Sequence, residues 1–261
     1  MAYPAPLPPD VATLAYQRQL GPHVATYLPK YLASWRLFGL LLFAAAPLGL
    51  AVLLAIVGQP LGAVLCGLLG LMFVGFLVYS PNFSRKLAAR KVHVFTQGFI
   101  QANAAGPVGD YRWDAIASVQ QKIINRYVNG VHTGTTYLYT VTRGDGAVAK
   151  LTQFYEGIAE LGQTISREVT RVQLPGAIDA IQHGQTVPFG DLAISAAGIV
   201  SARHGLLPWQ ELDQVRVVQG YVKLRKAGKW LPWSHKPAAE IPNLFVFLTL
   251  ADQLQRAAHQ T

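Results

Sequence analysis

Residues 37–79 carry no charged side chain. Leu37 to Val57 is one apolar run, Leu61 to Tyr79 is a second, and only Gly58-Gln59-Pro60 separates them. A helix needs about 20 predominantly apolar residues to cross a hydrocarbon core of about 30 Å. Both runs meet that length, and so short a connection forces two helices antiparallel. The sequence therefore predicts a transmembrane helical hairpin over residues 37–80.

Charge sets its orientation. The net charge of +9 is unevenly spread. Arg18, Lys30 and Arg36 precede the first run, Arg85, Lys86, Arg90 and Lys91 follow the second, and the turn has no charge. Short loops rich in Lys and Arg stay cytoplasmic. The expectation is a multi-pass protein of the inner cell membrane with both termini cytoplasmic. Arg85, Lys86, Arg90 and Lys91 would set topology and meet headgroups. A cleaved signal peptide fits poorly, because the first run starts late, is long, and is followed by another. Cys66 is the only cysteine, so an intrachain disulfide and a Cys-based metal cluster are excluded.

Gly62, Cys66 and Gly70 fall four apart in the second run, as do Ala45 and Gly49 in the first. Small residues at that spacing let helices approach closely. They are expected to pack the hairpin, with a homo-oligomer as their alternative use. Neither run holds an ionisable residue, which argues against a pump or carrier.

Residues 1–36 read as an N-terminal arm. Pro4 to Pro9 cannot be helical throughout and reads as disordered. Asp10 would cap a short helix ending near Leu20, before Gly21-Pro22. From Val24 to Trp35, Tyr27, Leu28, Tyr31, Leu32 and Trp35 share roughly one helical face, which suits an interfacial helix on the inner leaflet.

Beyond the basic segment the apolar pattern turns short and alternating. Val92–Phe95, Phe99–Gln101, Ser118–Ile124 and Tyr137–Thr142 read as strands, with Asn129-Gly130 and Asp145-Gly146 as hairpin turns. Ile158, Leu161, Ile165, Val169 and Val172 line one helical face, and Pro175-Gly176 is expected to bend or break that helix before Ala177 to Gln182. Further strands follow at Leu192–Ile194, Ile199–Val200, Gln214–Val218, Tyr221–Leu224 and Trp230–Trp233. A closing helix, Leu244 to Leu254, starts after Ile241-Pro242-Asn243. Domains are thus expected at 81–184 and 185–261.

The two halves also share a string. Gly98-Phe99-Ile100 leads to Trp113-Asp114-Ala115-Ile116-Ala117-Ser118-Val119, and Gly198-Ile199-Val200 leads to Trp209-Gln210-Glu211-Leu212-Asp213-Gln214-Val215. Such a repeat changes the fold expectation. Each copy would be a bent antiparallel sheet plugged by a C-terminal helix, with Trp113 and Trp209 as core anchors. Strand, Gly turn, strand, then Trp-x-x-Ile/Leu-x-x-Val resembles bacterial pleckstrin-homology-like domains. With Arg126 to Gly130, Thr133-Gly134-Thr135, Leu161 to Val169, Gly228-Lys229-Trp230 and Ile241 to Phe245, the chain resembles a functionally uncharacterised family of bacterial membrane proteins. The resemblance covers about residues 90–254. It implies an α+β membrane protein with two pleckstrin-homology-like domains and brings no activity or site residues.

The strongest polar constellation is Arg216 to Lys236, which holds Arg216, Lys223, Arg225, Lys226, Lys229 and Lys236 and no acid, with Tyr221, Trp230 and Trp233 interleaved. On a strand, Lys223 and Arg225 share the face opposite Val222 and Leu224. Such a face suits anionic headgroups; the plainer reading is a solvated strand with Trp230 and Trp233 in the core. The 125–136 loop, with Arg126 and His132, is a second candidate, since loops on rigid scaffolds often bind partners. Nucleic-acid binding is not expected, because residues 92–261 hold 15 Lys and Arg against 12 Asp and Glu. Gly-x-Ser-x-Gly, His-Glu-x-x-His and the phosphate-binding Gly-x-x-x-x-Gly-Lys-Ser/Thr are absent. No catalytic, metal-binding or cofactor-binding residue is assigned, and no cofactor is expected. The expected role is non-enzymatic: binding a protein partner or anionic lipid headgroups, or, as the alternative, a structural subunit that oligomerises through the hairpin.

Overall fold

The computed structural model describes residues 7–260, a mixed α+β chain. Most of the Pro-rich start lies outside the described residues. Helix α1 (Pro9–Gln17) begins at a proline, whose fixed φ and missing N–H suit a first helical position, with Asp10 in its first turn rather than at the cap. It ends short of Leu20, where Gln19 takes a positive φ of 53°.

The expected interfacial helix over 24–35 is instead strand β1 (His23–Tyr27) and an irregular connection. Pro22 and Pro29 bracket it and disfavour helix. Ala25 and Tyr27 point into a core, which fits the two-residue period of a strand rather than a helical face. Helices α2 (Ser34–Ile56) and α3 (Pro60–Val78) follow, each with a mean hydropathy of 2.5. At about 1.5 Å per residue both are long enough to cross a hydrocarbon core. Only 6 % and 11 % of their most apolar windows are buried. After the single turn α4 (Arg85–Ala88), β2 (Lys91–Phe95) returns and pairs antiparallel with β1, Tyr27 opposite Val92. The helical pair is therefore inserted between two hydrogen-bonded strands.

β3 (Gly98–Asn103) and β4 (Gly106–Arg112) complete a sheet ordered β1-β2-β3-β4. α1 covers its outer face, where Val11, Ala15, Leu20, Phe95 and Ile100 cluster. A short turn at Trp113–Ala115 leads to β5 (Ile116–Val128), β6 (Val131–Arg143) and β7 (Val148–Thr152), a second, three-stranded sheet. Asn129 and Gly130, both at positive φ, turn the long β5–β6 hairpin, as the Asn-Gly pair requires. Phe99, Trp113, Val141 and Leu151 fill the space between the sheets.

Helix α5 (Ile158–Gln182) runs unbroken through Pro175. Its first half places Ile158, Leu161, Ile165 and Val169 in this core. Its second half sets Leu174, Ala177, Ile178 and Ile181 against the core of the following strands. That second contact offsets the hydrogen bond lost at the proline, so of the expected bend or break the break does not occur.

The later half is built from β8 (Val187–Phe189), β9 (Leu192–Ser195), β10 (Gly198–Ser201) and β11 (Gly205–Pro208), a four-stranded sheet in that order. After Trp209–Glu211, β12 (Leu212–Val218), β13 (Tyr221–Lys226) and β14 (Pro232–Pro237) form a three-stranded sheet, closed by α6 (Leu244–Gln260). Trp113 and Trp209 are both buried, and each indole N–H donates to a backbone carbonyl, Thr96 at 3.1 Å and Ala196 at 3.1 Å. Gly98 and Gly198 each pass so close to the facing strand that a Cβ would strike the carbonyl oxygen of Tyr111 or Leu207.

Candidate functional site

The basic stretch runs from the end of β12, which carries Arg216, through β13 and the following loop to β14. Val222 and Leu224 are buried while Lys223 and Arg225 share the other face, as alternation demands. The absence of acids within 216–236 does not leave this face unbalanced. Asp213 on β12 binds Arg225, Glu211 binds Lys226, and Asp191 binds Lys236. The neutralising carboxylates come from other strands. Among the described residues Arg216, Lys223 and Lys229 have no ion pair. Arg216 lies opposite Lys223, and Lys223 opposite His235, in the cross-strand register. The uncompensated positive charge of the sheet is this one row.

Trp230, read as a core residue, is 85 % exposed at the loop tip with Leu231 beside it. The strand starts after it, at Pro232, so the sequence pattern put one tryptophan too many inside. Trp233 is half-buried against the second core and rests on the His204 ring at 5.4 Å.

Arg126 and His132 sit at the end of the β5–β6 hairpin. His132 packs edge-on against Tyr127 at 5.4 Å, and its Nε2 is 3.0 Å from the Thr135 hydroxyl. Tyr127, Val128 and Val131 are exposed around them, so the tip is as apolar as it is basic. This hairpin reaches across to the β12–β13 turn. Between them lies a cleft of about 660 Å³, walled by Ile123, Ile124 and Tyr127 on one side and Val217 and Tyr221 on the other, with Pro237 and Ala238 also lining it. Lys122, Asn125 and Gln219 are its polar edge. A mainly apolar concavity of this size with a few convergent polar groups has the dimensions of a binding site. Sequence reasoning pointed to both walls separately and missed the cleft, because nothing local says that the hairpin reaches the second sheet. Lys223 and Arg225 do not line it.

In the helical pair, Gly70 receives Leu48 and Gly62 faces Leu54. Phe43 stacks on Phe73 at 5.7 Å. Cys66 is a free, half-buried thiol. Ala45 and Gly49 are exposed and turned away from α3, with nothing within 4 Å of a Cβ built on Gly49. The α2 face that meets α3 is thus Ala44, Leu48, Ala51 and Leu54, in which leucines fit the notches left by glycine. Arg85, Lys86 and Arg90 are exposed at the base of the pair. Among the described residues no group of three or more His, Cys, Asp or Glu could hold a metal ion.

His93 is the most perturbed histidine. Alternation on β2 turns it away from Val92 and Val94, it is 2 % exposed, and its Nδ1 is 2.9 Å from the Thr26 hydroxyl. Thr26 also meets His23 Nε2 at 2.9 Å. Burial, with His23 and Lys91 adding repulsion, depresses its pKa to about 4. Its Nε2 is buried without a partner.

The chain belongs to a family of unknown function, DUF6585, whose model matches residues 8–260. No curated protein and no solved structure matches it.

Proposed function

We propose that this protein is a membrane-anchored, non-enzymatic binding protein of the inner membrane. α2 and α3 span the bilayer as a hairpin, and two pleckstrin-homology-like units stand on the cytoplasmic side. The observation that carries the reading is the pairing of Tyr27 with Val92 across the helical pair. Two helices of which few residues are buried are rooted in the sheet of the first unit, so that unit is held at the surface from which the helices rise. The pleckstrin-homology-like reading is supported by the layout common to both halves: four strands, a Trp turn, three strands and a closing helix.

The favoured ligand is a protein partner offering an apolar segment to the cleft between the β5–β6 hairpin and the β12–β13 turn. With three of the six cations of 216–236 already paired, lipid contact on the sheet falls to the row of Arg216 and Lys223, which sustains headgroup binding as the second reading. The outward stripe of Ala45 and Gly49 is what an oligomerising structural subunit would use. A photo-crosslinking residue placed at Ile124 or Val217 in native membranes separates these readings. Adducts to a distinct protein from the cleft positions, and none from exposed Gln253 on α6, support the partner. Adducts from all three positions alike, or from none, count against it.

A further inference from the structure

We propose that the cleft at the base of the helical pair seats the phosphodiester headgroup of an anionic phospholipid; this rests on the membrane reading above. The cleft, of about 410 Å³, is lined by Lys30, Tyr31, Trp35, Arg36, Gln153 and Phe154, among others, and by no carboxylate. Lys30 and Arg36 are exposed and, among the described residues, make no ion pair. The Arg36 guanidinium lies 5.1 Å from the Trp35 ring centroid, and that of Arg90 lies 6.0 Å from the Phe154 ring. Aromatic faces rather than acids hold these two cations, so their N–H groups stay free for an incoming anion.

The walls are fixed by backbone hydrogen bonds. Lys30 N–H donates to Phe154 O at 2.6 Å and Glu156 N–H to Leu28 O at 2.9 Å. Asn82, just after the second helix, accepts from Leu32 N–H at 2.8 Å and so ties the two ends of the helical pair together. Lys30 and Arg36 therefore project from a tied framework, and less ordering entropy is lost when an anion binds. The site is also at the right depth. It surrounds the start of α2, whose cap residue Ala33 offers no side-chain acceptor to the first-turn N–H groups. Those groups favour an anion, and Tyr31 and Trp35 are residue types of the headgroup layer. The anion that a bilayer supplies at that level is a lipid phosphate. Arg36 can meet two of its oxygens at once, with Lys30 as a point charge.

The test uses the full chain purified in neutral detergent and titrated with phosphatidylglycerol or phosphatidylcholine, with bound lipid counted by native mass spectrometry. Phosphatidylglycerol should be retained about tenfold or more over phosphatidylcholine, since each basic residue near the surface is worth roughly fivefold. Lys30→Gln with Arg36→Gln should erase the preference, Arg203→Gln, at an exposed cation in the turn between β10 and β11, should leave it intact, and excess inorganic phosphate should not displace the lipid. Equal retention of both lipids, a preference that survives the double variant, or displacement by inorganic phosphate overturns the proposal. Alkaline extraction of native membranes separates the two levels. A chain released to the soluble fraction sinks the membrane reading and the seat with it. A chain that stays in the membrane but shows no lipid preference sinks the seat alone.

Discussion

Asn243 exchanges two hydrogen bonds with Val119: its Oδ1 accepts from the Val119 N–H at 2.7 Å, and its own N–H donates to the Val119 carbonyl at 2.9 Å. Its Nδ2 also donates to Ala117 O and to Gln173 Oε1, each at 2.9 Å. Gln173, on α5, donates in turn to Ile116 O at 2.7 Å. A residue at the start of α6 thus satisfies the free edge of β5, and with α5 it joins the two sheet systems. Asn243 holds φ at 51° to do so. Asn243→Gly keeps that backbone and should cost about 1–2 kcal/mol from the β5 groups left unpaired. Asn243→Ala should cost about 1 kcal/mol more for its left-handed conformation. Thermal unfolding of the full chain in detergent measures both.

The close strand approaches at Gly98 and Gly198 leave no room for a side chain. Either Gly→Ala variant forces backbone apart and should destabilise by about 3 kcal/mol or more. Gly176 is the contrast. It sits inside α5 with nothing within 4 Å of a Cβ, so Gly176→Ala should raise stability by about 0.5–1 kcal/mol. Denaturant midpoints for the three variants should move in these opposite directions.

Trp113 and Trp209 should each cost about 3–5 kcal/mol when cut to alanine, whereas Trp230→Ala should leave stability within about 0.5 kcal/mol of the parent. Fluorescence quenching by acrylamide should reach Trp230 readily and the other two poorly.

His93 should give the protein an acid-sensitive limb. Its folded pKa, about 4, lies below the value near 6.5 expected in the unfolded chain. Between those values the unfolded state takes up a proton that the folded state refuses. Stability from this group is therefore complete above about pH 6.5 and is lost as pH falls towards 4. The pKa of His23 is lowered too, chiefly by burial, and adds in the same sense. Unfolding free energy measured from pH 7.5 to 4 should fall along this limb, and His93→Leu should flatten it.

The elements that were legible are those whose signal is local. Two long charge-free runs read as helices, and alternation with Asn129-Gly130 reads as the β5–β6 hairpin. β1 was not legible, because its partner β2 lies beyond the entire helical pair and because Tyr27, its last residue, also falls on one helical face with Leu28, Tyr31, Leu32 and Trp35. Pro175 read as a bend or break because the second core, which receives Leu174, Ile178 and Ile181, is built from strands further along. The same limit applies at the sites. The charges of β13 and β14 were visible, but Asp191, Glu211 and Asp213 approach them only through tertiary pairing. Asn243 was legible as a helix start and not as the clasp on β5.

Side-specific labelling tests the anchoring most directly. In a Cys66→Ala background, a single cysteine is placed at Gln59, in the turn between the two helices, or at Asn129, at the hairpin tip. A membrane-impermeant maleimide is then applied to right-side-out vesicles before and after permeabilisation. The account predicts that Gln59→Cys is labelled from outside and Asn129→Cys only after permeabilisation. Labelling of Asn129→Cys on sealed vesicles, or protection of Gln59→Cys under both conditions, would contradict a hairpin that crosses the membrane and holds both units on its inner face.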